Sequence, residues 1–316
     1  MMNAIRSNPE IADKSGAEAL GAAGRFPQSP PSHYYESQTR RIWRRFLRHR
    51  LAVAGGGAVI LLLLMAILAD IVAPHDPLAL DTRRRFIPPF TDPTFIFGTD
   101  EMGRDLLSRL FHGGRISLVV GIAAMFATVV TGLIIGLISG FYGGKVDNVL
   151  MRFTDTMLCF PQVFLLLVLA AFITPTVVSI ALIIGLTSWM EVARIIRAQV
   201  QYIKEQDFVQ AAFALGASGA RIMSKELLPN AIAPVMVSAT LNVANAVLME
   251  SYISFLGYGI QPPLASWGNM LTNAQSYFDL APWLAILPGI MITLTVMSFN
   301  FLGDGLRDAL DPRLRM

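Results

Sequence analysis

Long apolar runs alternate with short polar stretches along this chain, and the runs exceed what helices in the core of a soluble domain require. A bilayer core of about 30 Å takes about 20 mainly apolar residues per crossing helix. Segments 51–73, 116–139, 155–174, 177–197, 233–256 and 283–303 meet that condition, which predicts an all-α integral membrane protein with six transmembrane helices. Just before the first of them, Arg40, Arg41, Arg44, Arg45 and Arg48 alternate in pairs with Ile42, Trp43, Phe46 and Leu47. Helical spacing puts the cations on one face and the bulky apolar groups on the other, predicting an interfacial amphipathic helix over 40–50 in the headgroup layer. A nucleic-acid arm is the alternative, disfavoured because the stretch runs straight into a span. Residues 1–39, rich in Ser, Pro, Gly and Ala without apolar periodicity, read as a disordered cytoplasmic tail, and with no h-region they are not a cleaved signal peptide.

Six crossings put both ends of the chain on one side, and the Arg-rich segment before the first span makes that side the cytoplasm. Arg194, Arg197, Lys204, Arg221 and Lys225 then surround a polar loop, 200–232, on the same side, and 305–316 forms a short cytoplasmic tail. Segment 74–115 is external although it carries Arg83, Arg84, Arg85, Arg104, Arg109 and Arg115. It also holds Asp76, Asp81, Asp92, Asp100, Glu101 and Asp105, but acids weigh little in orientation, so the first helix decides. The remaining core runs from 116 to 304.

Composition supports a membrane protein: 54% of residues are hydrophobic and only 15% charged, with a mean hydropathy of +0.54. The net charge of +3 is too small to indicate a nucleic-acid partner. The lone Cys159 makes no intrachain disulfide. His33, His49, His75 and His112 lack metal-ligand spacing, and there is no Ser, His and acid arrangement or zincin motif. The nearest approach to a phosphate loop, Ser139-Gly140-Phe141-Tyr142-Gly143-Gly144-Lys145-Val146, lacks the first Gly and the Ser/Thr after Lys. No active site is visible, and no cofactor site.

Four features inside this frame carry candidate roles. Gly132, Gly136 and Gly140 recur every fourth residue, a smooth strip for close approach of a neighbouring helix. Pro161 and Pro288 bend their helices, with either a structural or a gating role. Glu250 lies about six residues inside the outer end of the fifth span, where a lipid-facing charge is costly. It therefore faces protein or water, either tying helices together or lining the path as an acid. In the loop, Asp207 before Val209, Ala211, Ala212 and Leu215 offers an N-cap and helix formers, and Gly216 with Ser218-Gly219 supplies a left-handed stop. Its small side chains let a second protein's groove come close to the backbone; an ordinary interhelical loop is the plain alternative.

That loop reads Gln210-Ala211-Ala212-Phe213-Ala214-Leu215-Gly216, continuing through Ala217-Ser218-Gly219 to Lys225-Glu226-Leu227-Leu228-Pro229-Asn230. It resembles the cytoplasmic coupling loop of ABC-transporter permeases, E-A-A, three residues, G, nine residues, I-x-L-P. Ala211, Ala212, Gly216, Leu228 and Pro229 fall in register, while Gln210 stands for the Glu and Glu226 for the Ile. Phe97-Gly98-Thr99-Asp100-Glu101-Met102-Gly103-Arg104-Asp105-Leu106-Leu107-Ser108-Arg109, then Gly143-Gly144, Asp147, Met151-Arg152 and Asp155, then Ser254-Phe255-Leu256-Gly257, Gln261-Pro262-Pro263 and Ser266-Trp267-Gly268 are similar to the dipeptide, oligopeptide and nickel permease subfamily, in its C-type subunit. The match covers roughly 40–316, and Leu228-Pro229-Asn230 fits the subfamily's loop.

The resemblance implies the type I importer permease fold in a bacterial inner membrane, and a non-catalytic subunit. Its partners would be a second homologous permease, one or two ATPase subunits docked on Gln210, Ala211, Ala212, Gly216, Ala217, Glu226, Leu228 and Pro229, and an external solute-binding protein. ATP and Mg would sit on the ATPase subunits. It leaves the substrate open between di- or oligopeptides, nickel chelates and other small solutes. An ion-coupled secondary transporter, which would want paired intramembrane acids and internal repeats, and an integral-membrane enzyme are the other classes.

Overall fold

The computed structural model describes residues 38–272 and 274–310. Most of the expected tail 1–39, and 311–316, lie outside them. The amphipathic helix α1 is Gln38–Arg48, ending two residues earlier than expected because His49 breaks it and caps the next helix. The Nδ1 of His49 accepts from the Ala52 N–H at 3.1 Å. The rest of the described chain, from Trp43, forms one compact unit.

Helix α2 (Arg50–Ile67) is followed by a short turn, α3 (Ala69–Val72), so the expected span 51–73 is two pieces. Next comes α4 (Leu106–Tyr142), 37 residues long and beginning ten residues before the expected span at 116. The cause is local: the Asp105 carboxylate accepts from the Ser108 N–H at 3.0 Å and the Ser108 hydroxyl at 2.5 Å, a strong N-cap that lets the polar stretch up to Arg115 join the helix. Part of the expected external segment 74–115 is therefore helix.

The third expected span, 155–174, is not one helix. It falls across α5 (Gly144–Leu158) and α6 (Gln162–Phe172), bent by 85° at Pro161, which caps α6. Proline removes an N–H and pushes its predecessor out of the helical region, so the chain restarts: the Pro161 carbonyl accepts from Phe164 and Leu165. Pro288 behaves differently, sitting inside an unbroken α13 (Trp283–Leu310), which also absorbs the start of the expected tail 305–316. Helices α7 (Val177–Lys204) and α11 (Ile232–Phe255) match their expected spans, α7 running seven residues longer. Among the described residues five helices, α2, α4, α7, α11 and α13, are each long and apolar enough to cross a membrane, and the bent α5–α6 pair meets that condition only when its two helices are taken together, as a broken span or a re-entrant loop.

The glycine strip joins α4 to α7. A Cβ at Gly132 would lie 2.7 Å from Val192 Cβ, at Gly136 2.6 Å from the Ala193 carbonyl, and at Gly140 2.8 Å from Val200 Cβ. Backbone and branched side chains of α7 thus fill the place of the missing methyls. We expect Gly136→Ala to lower the thermal stability of the detergent-solubilised protein by about 1–2 kcal/mol through overpacking. Gly57→Ala, where nothing lies within 4 Å, serves as the control. An unchanged melting temperature for Gly136→Ala would remove the strip from the packing account.

At one end of the bundle a cap covers α4. Thr99 and Asp105 pair across a β-bridge, the Asp100 carboxylate accepts from the Met102 and Arg104 N–H groups, and Gly98 and Gly103 take positive φ where another backbone passes. Arg104 Nε donates to Asp100 at 2.6 Å, and Arg109 lies 3.5 Å from the same carboxylate, all three side chains buried. Burial of a charge is tolerated when it is paired and hydrogen-bonded, as Arg104 is, whereas Arg109 has the ion pair alone and its buried Nη1 finds no hydrogen-bond acceptor. Nearby, the exposed Asp70 carboxylate accepts from Arg115 Nη2 at 2.9 Å and lies 3.1 Å from His112 Nε2. Helix α12 (Trp267–Thr272) closes the cap as the Trp267 indole N–H donates to the Leu110 carbonyl at 3.0 Å.

Candidate functional site

The loop between α7 and α11 folds into its own helical hairpin. In its first arm, α8 (Asp207–Ala214), Gln206 and not Asp207 holds the N-cap position, with no side-chain cap hydrogen bond, and Asp207 occupies the first turn. An acid in that turn still complements the helix dipole. The arm ends as a Schellman motif: Gly216 takes φ +77°, the Ala217 N–H reaches the Ala212 carbonyl and the Gly216 N–H reaches that of Phe213, both at 3.0 Å. Gly219 plays no part in this stop. It opens α9 (Gly219–Arg221), capped by Ser218.

The second arm continues from α9 through a π turn, Ile222–Leu227, into α10 (Leu228–Asn230). The widened turn directly precedes Pro229, whose ring crowds the carbonyl that an ordinary α-helix would place four residues back. Glu226 lies in the π turn, where its carbonyl accepts from the Asn230 side chain at 2.6 Å. Val209 of α8 meets Ile222 and Leu227 of the second arm in one buried cluster, with Ala212 and Ala217 packed against it. The structure thus brings the loop's motif residues into one hairpin with an anchored and a bare face. On the bare face Gln210, Ala211, Ala214 and Gly216 are exposed, and Leu215 is 88% exposed. Gln210 donates its amide N–H to the Lys204 carbonyl at 2.8 Å, tying α8 to the end of α7.

The support beneath the hairpin was not readable from spacing. Arg197 of α7 makes two hydrogen bonds to Asp147 of α5, at 2.5 and 2.6 Å, and the Ser139 hydroxyl of α4 donates to the same carboxylate at 2.5 Å. One acid thereby joins three helices. Lys204 Nζ donates to the Phe141 carbonyl at 2.6 Å, satisfying the carboxyl end of α4. The sequence singled out Asp147 through the family resemblance and Arg197 beside the loop, but nothing paired 147 with 197.

Glu250 lies on α11, away from the hairpin, and is 0% exposed. Its carboxylate accepts from the Ser117 hydroxyl of α4 at 3.0 Å and the Ser254 hydroxyl at 2.7 Å. Ser117 in turn accepts from the Trp267 N–H at 3.1 Å, and Ser254 from the Ile260 N–H at 3.2 Å. The acid sits at the meeting point of α4, α11 and the cap. Among the described residues, no group of three His, Cys, Asp or Glu side chains is placed to hold a metal ion.

The described chain is thus a polytopic helical bundle that carries a bare-faced helical hairpin between two of its candidate spans. Residues 132–316 match the family described as "Binding-protein-dependent transport system inner membrane component", and this chain belongs to it. Residues 37–89 match the "N-terminal TM domain of oligopeptide transport permease C". The di/tripeptide transport system permease protein DppC of Pseudomonas aeruginosa (strain UCBPP-PA14) is 37% identical over 94% of this chain and 99% of its own length. The oligopeptide transport system permease proteins OppC of Haemophilus influenzae and Escherichia coli K12 are each 40% identical. They cover 87% and 90% of this chain, and 90% and 95% of their own lengths.

Proposed function

We propose that this permease forms half of the translocation path of an ATP-driven importer for short peptides, and that Gln210, Ala211, Ala212, Gly216, Ala217, Glu226, Leu228 and Pro229, with the exposed Leu215 beside them, form its docking surface for an ATPase subunit. The observation that carries the docking reading is the bare face of α8. An apolar side chain as exposed as Leu215, at the end of a helix whose other face is buried, suits a partner's groove. The peptide reading rests on relatives named as di/tripeptide and oligopeptide permeases. In this reading ATP closes the ATPase pair, the hairpin follows as a rigid body, and the bundle switches between inward-facing and outward-facing arrangements. A second, homologous permease completes the path, and an external binding protein delivers the peptide. ATP and Mg belong to the ATPase subunits.

Uptake tests the substrate. Cells lacking this chain should lose accumulation of labelled di- and tripeptides, and regain it on complementation. Unchanged peptide uptake, with loss of some other solute, would transfer the permease to that solute.

The same reading puts the bundle in the inner membrane with both ends of the chain cytoplasmic, the hairpin on that side, and 74–105 and 257–282 outside. Ser266 would be a poor reporter because it is buried, whereas Leu264 in the same loop is exposed. With the exposed Cys159 replaced by Ser, Leu264→Cys should react with an impermeant maleimide added to the periplasmic face. Labelling solely from the cytoplasmic face would invert the topology.

A further inference from the structure

Phe141 lies in the last turn of α4, a helix that is not adjacent in sequence to the hairpin, yet its ring is where the hairpin meets the bundle. The ring stacks on Phe213 of α8, with centroids 6.1 Å apart and planes 16° from parallel. Lys204, the last residue of α7, places its ammonium 5.6 Å from the ring centroid while donating to the Phe141 carbonyl. On the second arm, a Cβ at Gly219 would lie 3.0 Å from the ring edge, so glycine leaves just enough room for it. Both arms of the hairpin and the helix leading into it therefore close on one side chain, itself only 8% exposed.

We propose that Phe141 is a positioning residue for transport: the Phe141–Phe213 stack carries displacement of α8 to α4. This rests on the reading of α8 as the ATPase-docking helix. The argument is mechanical. Offset-stacked rings resist separation and shear, because the contact area and the favourable quadrupole arrangement are lost together. The far side of the ring is fixed, since α4 is locked to α7 along Gly132, Gly136 and Gly140. A rigid shift of α8 must either carry the α4–α7 pair with it or break the stack. Phe141 is too buried to touch an ATPase subunit itself, which separates its role from docking.

The test uses the assembled importer, with its ATPase subunits and binding protein, in proteoliposomes. The readouts are ATPase retention on purification, hydrolysis, and peptide taken up per ATP hydrolysed. Phe141→Ala and Phe213→Ala should each retain the ATPase subunits and basal hydrolysis while uptake per ATP falls about tenfold, the scale of a lost aromatic pair. The double variant should fall no further than either single one. Phe141→Leu, which keeps apolar volume without a face to stack, should show the same loss, and it serves if the alanine variant does not assemble.

Normal uptake per ATP in Phe141→Leu, or additive losses in the double variant, would overturn the proposal. So would loss of the ATPase subunits from Phe213→Ala with Phe141→Ala unaffected, since Phe213 would then act in docking. Leu215→Asp keeps the two readings apart. If that variant retained its ATPase subunits and full uptake, α8 would not be the docking helix, whatever the ring pair did.

Discussion

Gly216→Val is expected to leave the permease in the membrane but to reduce peptide uptake roughly tenfold, the equivalent of about 1.4 kcal/mol. The reason is confined to the backbone. Gly216 holds φ +77°, and a Cβ there would meet nothing within 4 Å, so no clash contributes. A non-glycine residue in a left-handed conformation costs of order 1–3 kcal/mol, and a β-branched one resists it most. The strain should unwind the Schellman stop and let α8 fray where Leu215 is presented. The order of uptake should therefore be Gly, Asn, Ala, Val, because Asn tolerates the left-handed region better than Ala does. Uptake of labelled dipeptide, with quantification of the membrane-inserted chain, checks the order. Full uptake in the valine variant would return the segment to an ordinary loop.

The second large effect concerns Glu250. Glu250→Leu should destabilise the protein by about 2–4 kcal/mol, because the buried hydroxyls of Ser117 and Ser254 each lose their acceptor. Glu250→Gln keeps a carbonyl acceptor, and its amide can donate to a hydroxyl that turns around. We expect the Gln variant to assemble and transport nearly normally and the Leu variant to be depleted from the membrane. That outcome would make the acid a tie between α4, α11 and the cap. Loss of uptake in a fully assembled Gln variant would instead make its charge part of the path. Normal assembly and uptake with Leu would remove Glu250 from both roles.

The helices that proved legible in the sequence are those whose apolar runs are uninterrupted. Helices α2, α11 and α13 follow hydropathy because most of their apolar length faces outward from the bundle, and α7 because most of its apolar length is buried within it. The polar start of α4 was hidden for the same reason. Leu106–Arg115 contains Arg109, His112 and Arg115, and a hydropathy reading takes it for loop, although Asp105 followed three residues later by Ser108 was a cap in plain sight. At Pro161 the sequence marked a bend but not its size, 85°.

In the hairpin, Gly216 was readable because a left-handed residue leaves a chemical signature. The anchoring contacts were not. Asp147 meets Arg197 across 50 residues, and Phe141 meets Phe213 across a still longer separation. Such pairs depend on how α4, α5 and α7 come together, which no local pattern encodes. Glu250 was conspicuous as an acid in an apolar run, whereas its partner Ser117 looked like any small residue on a helix.

The length of α4 has a consequence for where its ends lie. At 1.5 Å per residue its 37 residues extend about 55 Å against a hydrocarbon layer of about 30 Å. Tilting cannot absorb the difference: even at about 40°, the upper end of what membrane helices adopt, its projection on the bilayer normal is about 42 Å. About 12 Å of it must stand clear of the hydrocarbon, shared between its two ends. The buried Arg109 near one end and the lysine-bonded Phe141 carbonyl near the other thus fall at depths where water and headgroups can meet the polar groups around them.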